Sequence, residues 1–168
     1  SVMTTHTMSC LLLFICFLFL PAHTKATVQP STRMCFITAG RMYQIDPLLL
    51  EAIARHESGL NPRAMNLRNR NGTVDYGLMQ VNSSHSPLLK QKGIIRNPQD
   101  LLDPCLNIQI GAWVLARHFQ SCGVNWNCLG SYNAGFRSTM NQRREDYADN
   151  IYAIYRKLNR ERRNMALR

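Results

Sequence analysis

The dipeptide Asp-Pro occurs twice, at Asp46-Pro47 and Asp103-Pro104, and each copy precedes a long apolar run with helical spacing. An aspartate can accept hydrogen bonds from the free N–H groups of a first helical turn, and proline at the first helical position gives up no bond. Each run also has a stop: Gly59 with Pro62 after the first, Gly123 after the second. In the first helix, Leu49, Ala52, Ile53 and His56 form one stripe and Leu50, Ile53, Ala54 and Glu57 an adjoining one. A helix apolar on two stripes belongs in the centre of a fold. In the second, Ile108, Ala112, Leu115 and Phe119 recur on one face. Shorter helices are expected over 35–44 and over 126–133, the latter ending at Gly135. A last one near 144–158 carries Tyr147, Ile151, Ile154, Tyr155 and Leu158 on its core-facing stripe. Between the two Asp-Pro helices the segment NLRNRNGTVDYGLMQVN changes character. Asn71-Gly72 is a hairpin turn, with Thr73, Val74 and Tyr76 as strand formers beside it. The pattern predicts a mainly helical α+β domain with one small β-hairpin.

A chain of 168 residues, 45% hydrophobic and 18% charged, fits a single globular domain. Residues 10–20 form an uninterrupted apolar run, too short for a comfortable membrane span, followed by Pro21, Ala22 and Thr24-Lys25-Ala26. This is the layout of a secretory signal peptide cut near Ala26, leaving no stable membrane insertion. The segment before the run carries His6 but no Lys or Arg, and an uncleaved anchor is the alternative. The expected organisation is a signal peptide over 1–26, a linker over 27–34, the domain over 35–158 and a basic tail over 159–168. Cleavage leaves Cys35, Cys105, Cys122 and Cys128, which in an exported protein read as two disulfides. Three pairings are possible. The close pair Cys122 and Cys128 suits a small loop, and Cys35 with Cys105 would then close a loop of ~70 residues, a link of about 4 kcal/mol in the chain-entropy model.

The net charge of +10 lies largely in Arg156, Lys157, Arg160, Arg162, Arg163 and Arg168. Export argues against a nucleic-acid partner; an anionic wall polymer or membrane surface fits such a tail, as does a plain solvated helix end.

Glu57 stands at the end of the first Asp-Pro helix, beside Leu50, Ile53 and Ala54. Burial and the negative end of the helix dipole both disfavour its charged form, which makes it a candidate general acid for glycoside cleavage. A zinc-protease reading of His56-Glu57 fails because the position of the second histidine is Leu60. No C-x-x-C pair is present either, so no metal or cofactor is expected. A second carboxylate is harder to find. Asp100 and Asp103 read as a turn and a cap, and Asp75 as a hairpin residue that could approach the cleft.

The segments ARHES, DYGLMQVNSSH, LLDPCLNIQIGAW, LGSYNAGFR and QRREDYADNIYAIY stand in an order and spacing that resembles a known family. It is that of the small specialised lytic transglycosylases of conjugative plasmids and of type IV and type III secretion systems in Gram-negative bacteria. The match runs from about 35 to 155. It implies a lysozyme-like fold with the hairpin beside the active-site cleft, Glu57 as catalytic acid and then base, and Ser58 as its hydrogen-bonding neighbour. Gly77, Met79 and Gln80 would line the floor of the sugar cleft, and Tyr132 and Asn133 would stand against the reacting sugar. Tyr147 would approach the glutamate from the last helix. Trp113 and Trp126 read as core. The implied reaction cuts the β-1,4 bond between N-acetylmuramic acid and N-acetylglucosamine of peptidoglycan, leaving a 1,6-anhydro end. The implied place is the periplasm of a Gram-negative bacterium, with conjugation, pilus or secretion machinery as partner. The competing readings are a lysozyme-type muramidase on the same fold, for which a well-placed Asp75 would be the sign, and a non-catalytic peptidoglycan-binding adaptor.

Overall fold

The structure, a computed structural model, describes residues 26–168; the apolar run expected to be a signal peptide lies outside the described residues. Among the described residues there are six α-helices and a small sheet: α1 (Pro30–Tyr43), α2 (Pro47–Ser58), β1 (Met65–Asn66), β2 (Asp75–Tyr76), β3 (Val81–Asn82), α3 (Ser86–Gln91), α4 (Pro104–Cys122), α5 (Trp126–Ala134) and α6 (Asn141–Ala166). Among the described residues no helix is long and apolar enough to cross a membrane.

The Asp-Pro punctuation holds. Asp46 accepts from the Leu48 N–H at 2.9 Å and Asp103 from the Leu106 N–H at 2.8 Å, while Gly59 (φ 61°) and Gly123 (φ 94°) close the two helices. Asp100 closes a capping box with Asn97 on the turn before α4, so both downstream aspartates have structural posts.

Four expectations about the course of the chain need correction. Helix α1 begins at Pro30, not at 35, and absorbs the second half of the expected linker. That extra turn is held from outside: Arg33 forms an ion pair with the fully buried Glu51 of α2, which also pairs with Arg55 at 3.1 Å. Helix α6 runs through the expected tail to Ala166, with Arg162 reaching the Asp46 carboxylate at 3.4 Å. The hairpin is a three-stranded antiparallel sheet in the order β1-β2-β3, and GLMQ is the turn between β2 and β3. Helix α4 is buried on two faces, not one. Ile108, Ala112 and Leu115 join a helical core with Phe36, Leu50, Ile53 and Ile151, whereas Ile110 and Val114 join a second core with Tyr76, Val81, Leu89 and Leu101.

The disulfides are Cys35–Cys105 and Cys122–Cys128, with Cα atoms 5.2 and 5.6 Å apart. The first ties the start of α1 to the start of α4. At the other end of the core, α5 meets α6 so closely that a Cβ on Gly130 would lie 2.1 Å from the Arg144 carbonyl oxygen. Trp126 is not core: it is half exposed at the start of α5, with its ring edge on Tyr152 and Tyr155 of α6.

Candidate active site

A cleft of about 910 Å3 separates the sheet from the helices, with Glu57 on the helical wall and Asp75 on the sheet wall. Helix α2 delivers Glu57 in its last turn, just before the Gly59 stop. Burial is the main influence on that carboxyl and lifts it from 4.5 to about 7; the Tyr147 hydroxyl, donating to Oε2 at 3.3 Å, pulls it down, and the Asp75 charge pushes it up. Near neutral pH Glu57 therefore holds and releases a proton with nearly equal ease, which suits a group that must do both. Tyr147, buried on α6, is pushed well above the usual phenol range by burial and by Glu57, so it stays a donor. The structure thus brings Tyr147 of the last helix onto the carboxyl at the end of α2.

The GLMQ turn is built from the core outward. Asn107, fully buried on α4, accepts from the Met79 N–H at 2.7 Å and donates to the carbonyls of Tyr76 (2.7 Å) and Leu101 (2.8 Å). Gly77 sits at φ 73°, where a Cβ would lie 2.6 Å from the Asn107 amide nitrogen, so this glycine makes room for Asn107 and not for sugar. Met79 is fully buried in the helical core. Neither Gly77 nor Met79 lines the cleft, contrary to the resemblance; they carry the residue that does. That residue is Gln80, held at a left-handed φ of 49°, whose amide donates to Ala64 O (3.1 Å) and Gly77 O (2.9 Å). With the amide hydrogens so engaged, Gln80 presents its oxygen to the cleft.

Ser58 does not bond Glu57. Its hydroxyl lies within hydrogen-bond distance of the carbonyls of Ala54 (2.9 Å) and Leu78 (2.8 Å), pinning the end of α2 to the GLMQ turn. Tyr132 does similar work from α5, donating to Met79 O at 2.7 Å while its ring faces the cleft. Asn133 is exposed on the cleft wall.

Sequence reasoning undervalued Asp75. The register pairs Asn66 with Asp75 and Asp75 with Asn82, which lines these three side chains in one row across the sheet. Asn66 (3.1 Å) and Asn69 (3.0 Å) donate to Oδ2, and Asn82 (2.8 Å) donates to Oδ1. Each asparagine read alone is a turn residue; only the strand register shows that they share a carboxylate. The anchor Asn107 was missed for a similar reason, since it lies 28 residues from its partner Met79. His85, His118 and Arg143 also line the cleft and carried no signal beyond residue type.

A helical lobe and a small antiparallel sheet flanking a cleft, with a poorly solvated glutamic acid on the helical side, define a lysozyme-like glycosidase architecture. Residues 34–155 match the family model of the transglycosylase SLT domain, and the chain belongs to that family, a family of lytic transglycosylase enzymes. It is 48% identical over 130 residues to a peptidoglycan-binding-like protein of Escherichia coli O157:H7, covering 74% of this chain and 78% of that one. It is 44% identical over 147 residues to the X polypeptide of Escherichia coli K12, covering 86% and 82%. Against the invasion protein IagB of Salmonella typhimurium SL1344 the identity is 41% over 124 residues, covering 74% and 76%. In fold it is similar to an inactive mutant of the lytic transglycosylase Slt of Pseudomonas aeruginosa, at a TM-score of 0.59 and 21% identity. That match covers 76% of this chain and 24% of the longer protein.

Proposed function

We propose that this enzyme cleaves the β-1,4 bond between N-acetylmuramic acid and N-acetylglucosamine in peptidoglycan and leaves a 1,6-anhydro-muramic end. The observation that carries the reading is the Glu57 carboxyl, poised at about 7 in the cleft with the Tyr147 hydroxyl on Oε2. Glu57 gives its proton to the bridging oxygen as the bond breaks, and the muramic acetamide closes on the anomeric carbon from within the substrate. The Glu57 carboxylate then takes the proton of the muramic 6-hydroxyl, which attacks the same carbon.

Hydrolysis is the second reading, favoured by Asp75 on the facing wall. Its oxygens are committed, Oδ2 to two amide donors and Oδ1 to one, which suits a fixed negative charge beside a developing cation better than a free nucleophile or base. Mass spectrometry of the muropeptides released from purified peptidoglycan, with Glu57→Gln run alongside, separates the two. Anhydro-muramic ends that vanish in the variant support the proposal; reducing ends would make the enzyme a muramidase. No release by folded, wall-binding protein would leave the adaptor role.

The same reading gives the enzyme a periplasmic location in a Gram-negative bacterium and a local task, opening the wall for a conjugation or pilus apparatus. The resemblance of its closing segment to conjugative-plasmid enzymes supports that choice over effector secretion. Deleting its gene and counting conjugal transfer, with Glu57→Gln as the complementing control, tests it.

A further inference from the structure

Helix α6 outlasts the core it packs on. Leu158 is its last buried residue, yet it runs on as continuous helix to Ala166. After Asp149 that stretch holds one acid, Glu161, against Arg156, Lys157, Arg160, Arg162 and Arg163. Arg162 turns back to the Asp46 carboxylate. Arg156, Arg160 and Arg163 are exposed, and among the described residues no ion pair or hydrogen bond engages them. At about 100° per residue they fall with Tyr152 and Leu167 inside an arc of roughly 80°, a stripe about 22 Å long. Glu161 stands about 100° or more round the helix from each of the three arginines. Like charges three and four residues apart on a helix repel, a penalty that an anionic partner removes.

Both ends of the stripe carry exposed apolar surface. Trp126 of α5, 39% exposed, meets Tyr152, 46% exposed, edge to face with ring centroids 5.1 Å apart. At the other end Leu167 is 86% exposed. Indole and phenol rings favour the boundary between lipid chains and water, and arginines favour the phosphates beside it. The stripe is also turned away from the chemistry, because Arg156 points roughly 180° round α6 from Tyr147, whose hydroxyl meets Glu57.

We infer that this face of α6, together with Trp126, docks the protein on an anionic lipid bilayer, with the arginines over the lipid phosphates and the aromatic pair in the headgroup layer. The attachment is peripheral, needs no spanning segment and leaves the cleft open. An anionic wall polymer would answer the arginines and offer a sugar face to the indole, but it has nothing for Leu167; a bilayer meets all of them.

The test uses the oxidised chain from Thr27, which holds both cores and both disulfides but not the apolar run, so that run cannot account for binding. Co-sedimentation is measured with vesicles of equal parts phosphatidylglycerol and phosphatidylcholine, and with phosphatidylcholine alone. Binding is expected to the anionic vesicles, weakening as salt rises, and not to the neutral ones. Combining Arg156→Gln, Arg160→Gln and Arg163→Gln should lower the partition constant about a hundredfold, the scale of the three surface cations removed. The same three positions changed to lysine should largely keep it. Arg63→Gln, Arg68→Gln and Arg70→Gln together, exposed around β1, remove equal charge elsewhere and should stay within about tenfold of wild type. No binding to anionic vesicles, equal binding to neutral ones, or an equal loss in the β1 variant would overturn the surface. Tryptophan emission decides the kind of partner. A blue shift on the anionic vesicles that is missing in Trp126→Phe supports a bilayer. Tighter binding to purified peptidoglycan than to vesicles, lost with the same α6 arginines, would give the surface to the wall polymer and refute the inference.

Discussion

The two walls of the cleft each present one carboxyl group, and the two are treated in opposite ways. Glu57, on the helical wall, is pressed among apolar neighbours and receives one hydroxyl donor, Tyr147. Asp75, on the sheet wall, receives three amide donors from Asn66, Asn69 and Asn82. A carboxyl deprived of donors keeps its proton; one supplied with donors has its charge dispersed. The division of labour between acid and anion is thus set by what each wall is made of. A helix end next to the core offers little to solvate a charge, while a short polar sheet offers side-chain amides in a row.

That contrast can be broken directly. Glu57→Gln removes the proton and should lower peptidoglycan turnover by about a thousandfold, within the range of a lost general acid. Turnover retained to within tenfold would move the chemistry elsewhere. Asp75→Asn should cost about tenfold in kcat, the scale of one weakened electrostatic contact, and shift the pH profile. Because the Asp75 charge raises Glu57, its removal lowers the Glu57 pKa, and the alkaline limb of the rate profile should move to lower pH. A loss as deep as that of Glu57→Gln would instead make Asp75 a full catalytic partner, as in a hydrolase. Tyr147→Phe removes a donor that lowers the same group, so the alkaline limb should move to higher pH, with a rate loss of only about threefold from one neutral contact. Opposite shifts in these two variants are the sharpest sign that both walls act on one proton.

The same proton also bears on stability. The folded Glu57 carboxyl lies above its unfolded value of 4.5, at about 7, so the native state binds the extra proton between those values and stability falls as pH rises through that window. Glu57→Gln, neutral throughout, should match wild type at pH 4 and exceed it at pH 8 by about 2 kcal/mol, measured by urea unfolding. Equal stabilities at pH 8 would mean that Glu57 is better solvated than its surroundings suggest.

Local signals in the sequence carried well. Asp46-Pro47, Asp103-Pro104 and the glycine stops are read within one turn of chain, and the helices they bound lie where expected. The failures share a cause of another kind. Met79 and Gly77 were assigned to the sugar because a residue far along the chain, Asn107, is what they actually face. Pro30 began a helix that Arg33 and Glu51 stabilise from different elements. Asp75 gained its setting from Asn66 and Asn82, its register partners on the two neighbouring strands. Glu57 and Tyr147 were legible because the motif resemblance stood in for a contact that no local rule could supply.

Helix α4 holds Asn107, which sets the GLMQ turn, and His118, which lines the cleft, on one rigid rod. At 1.5 Å per residue the two stand roughly 16 Å apart along its axis. The rod therefore fixes the spacing between the two. A residue inserted between them would lengthen it by only about 1.5 Å but swing His118 about 100° around the axis. A change in the length of α4 thus resets direction far more than distance, and His118 keeps its side of the cleft only when the helix changes by whole turns.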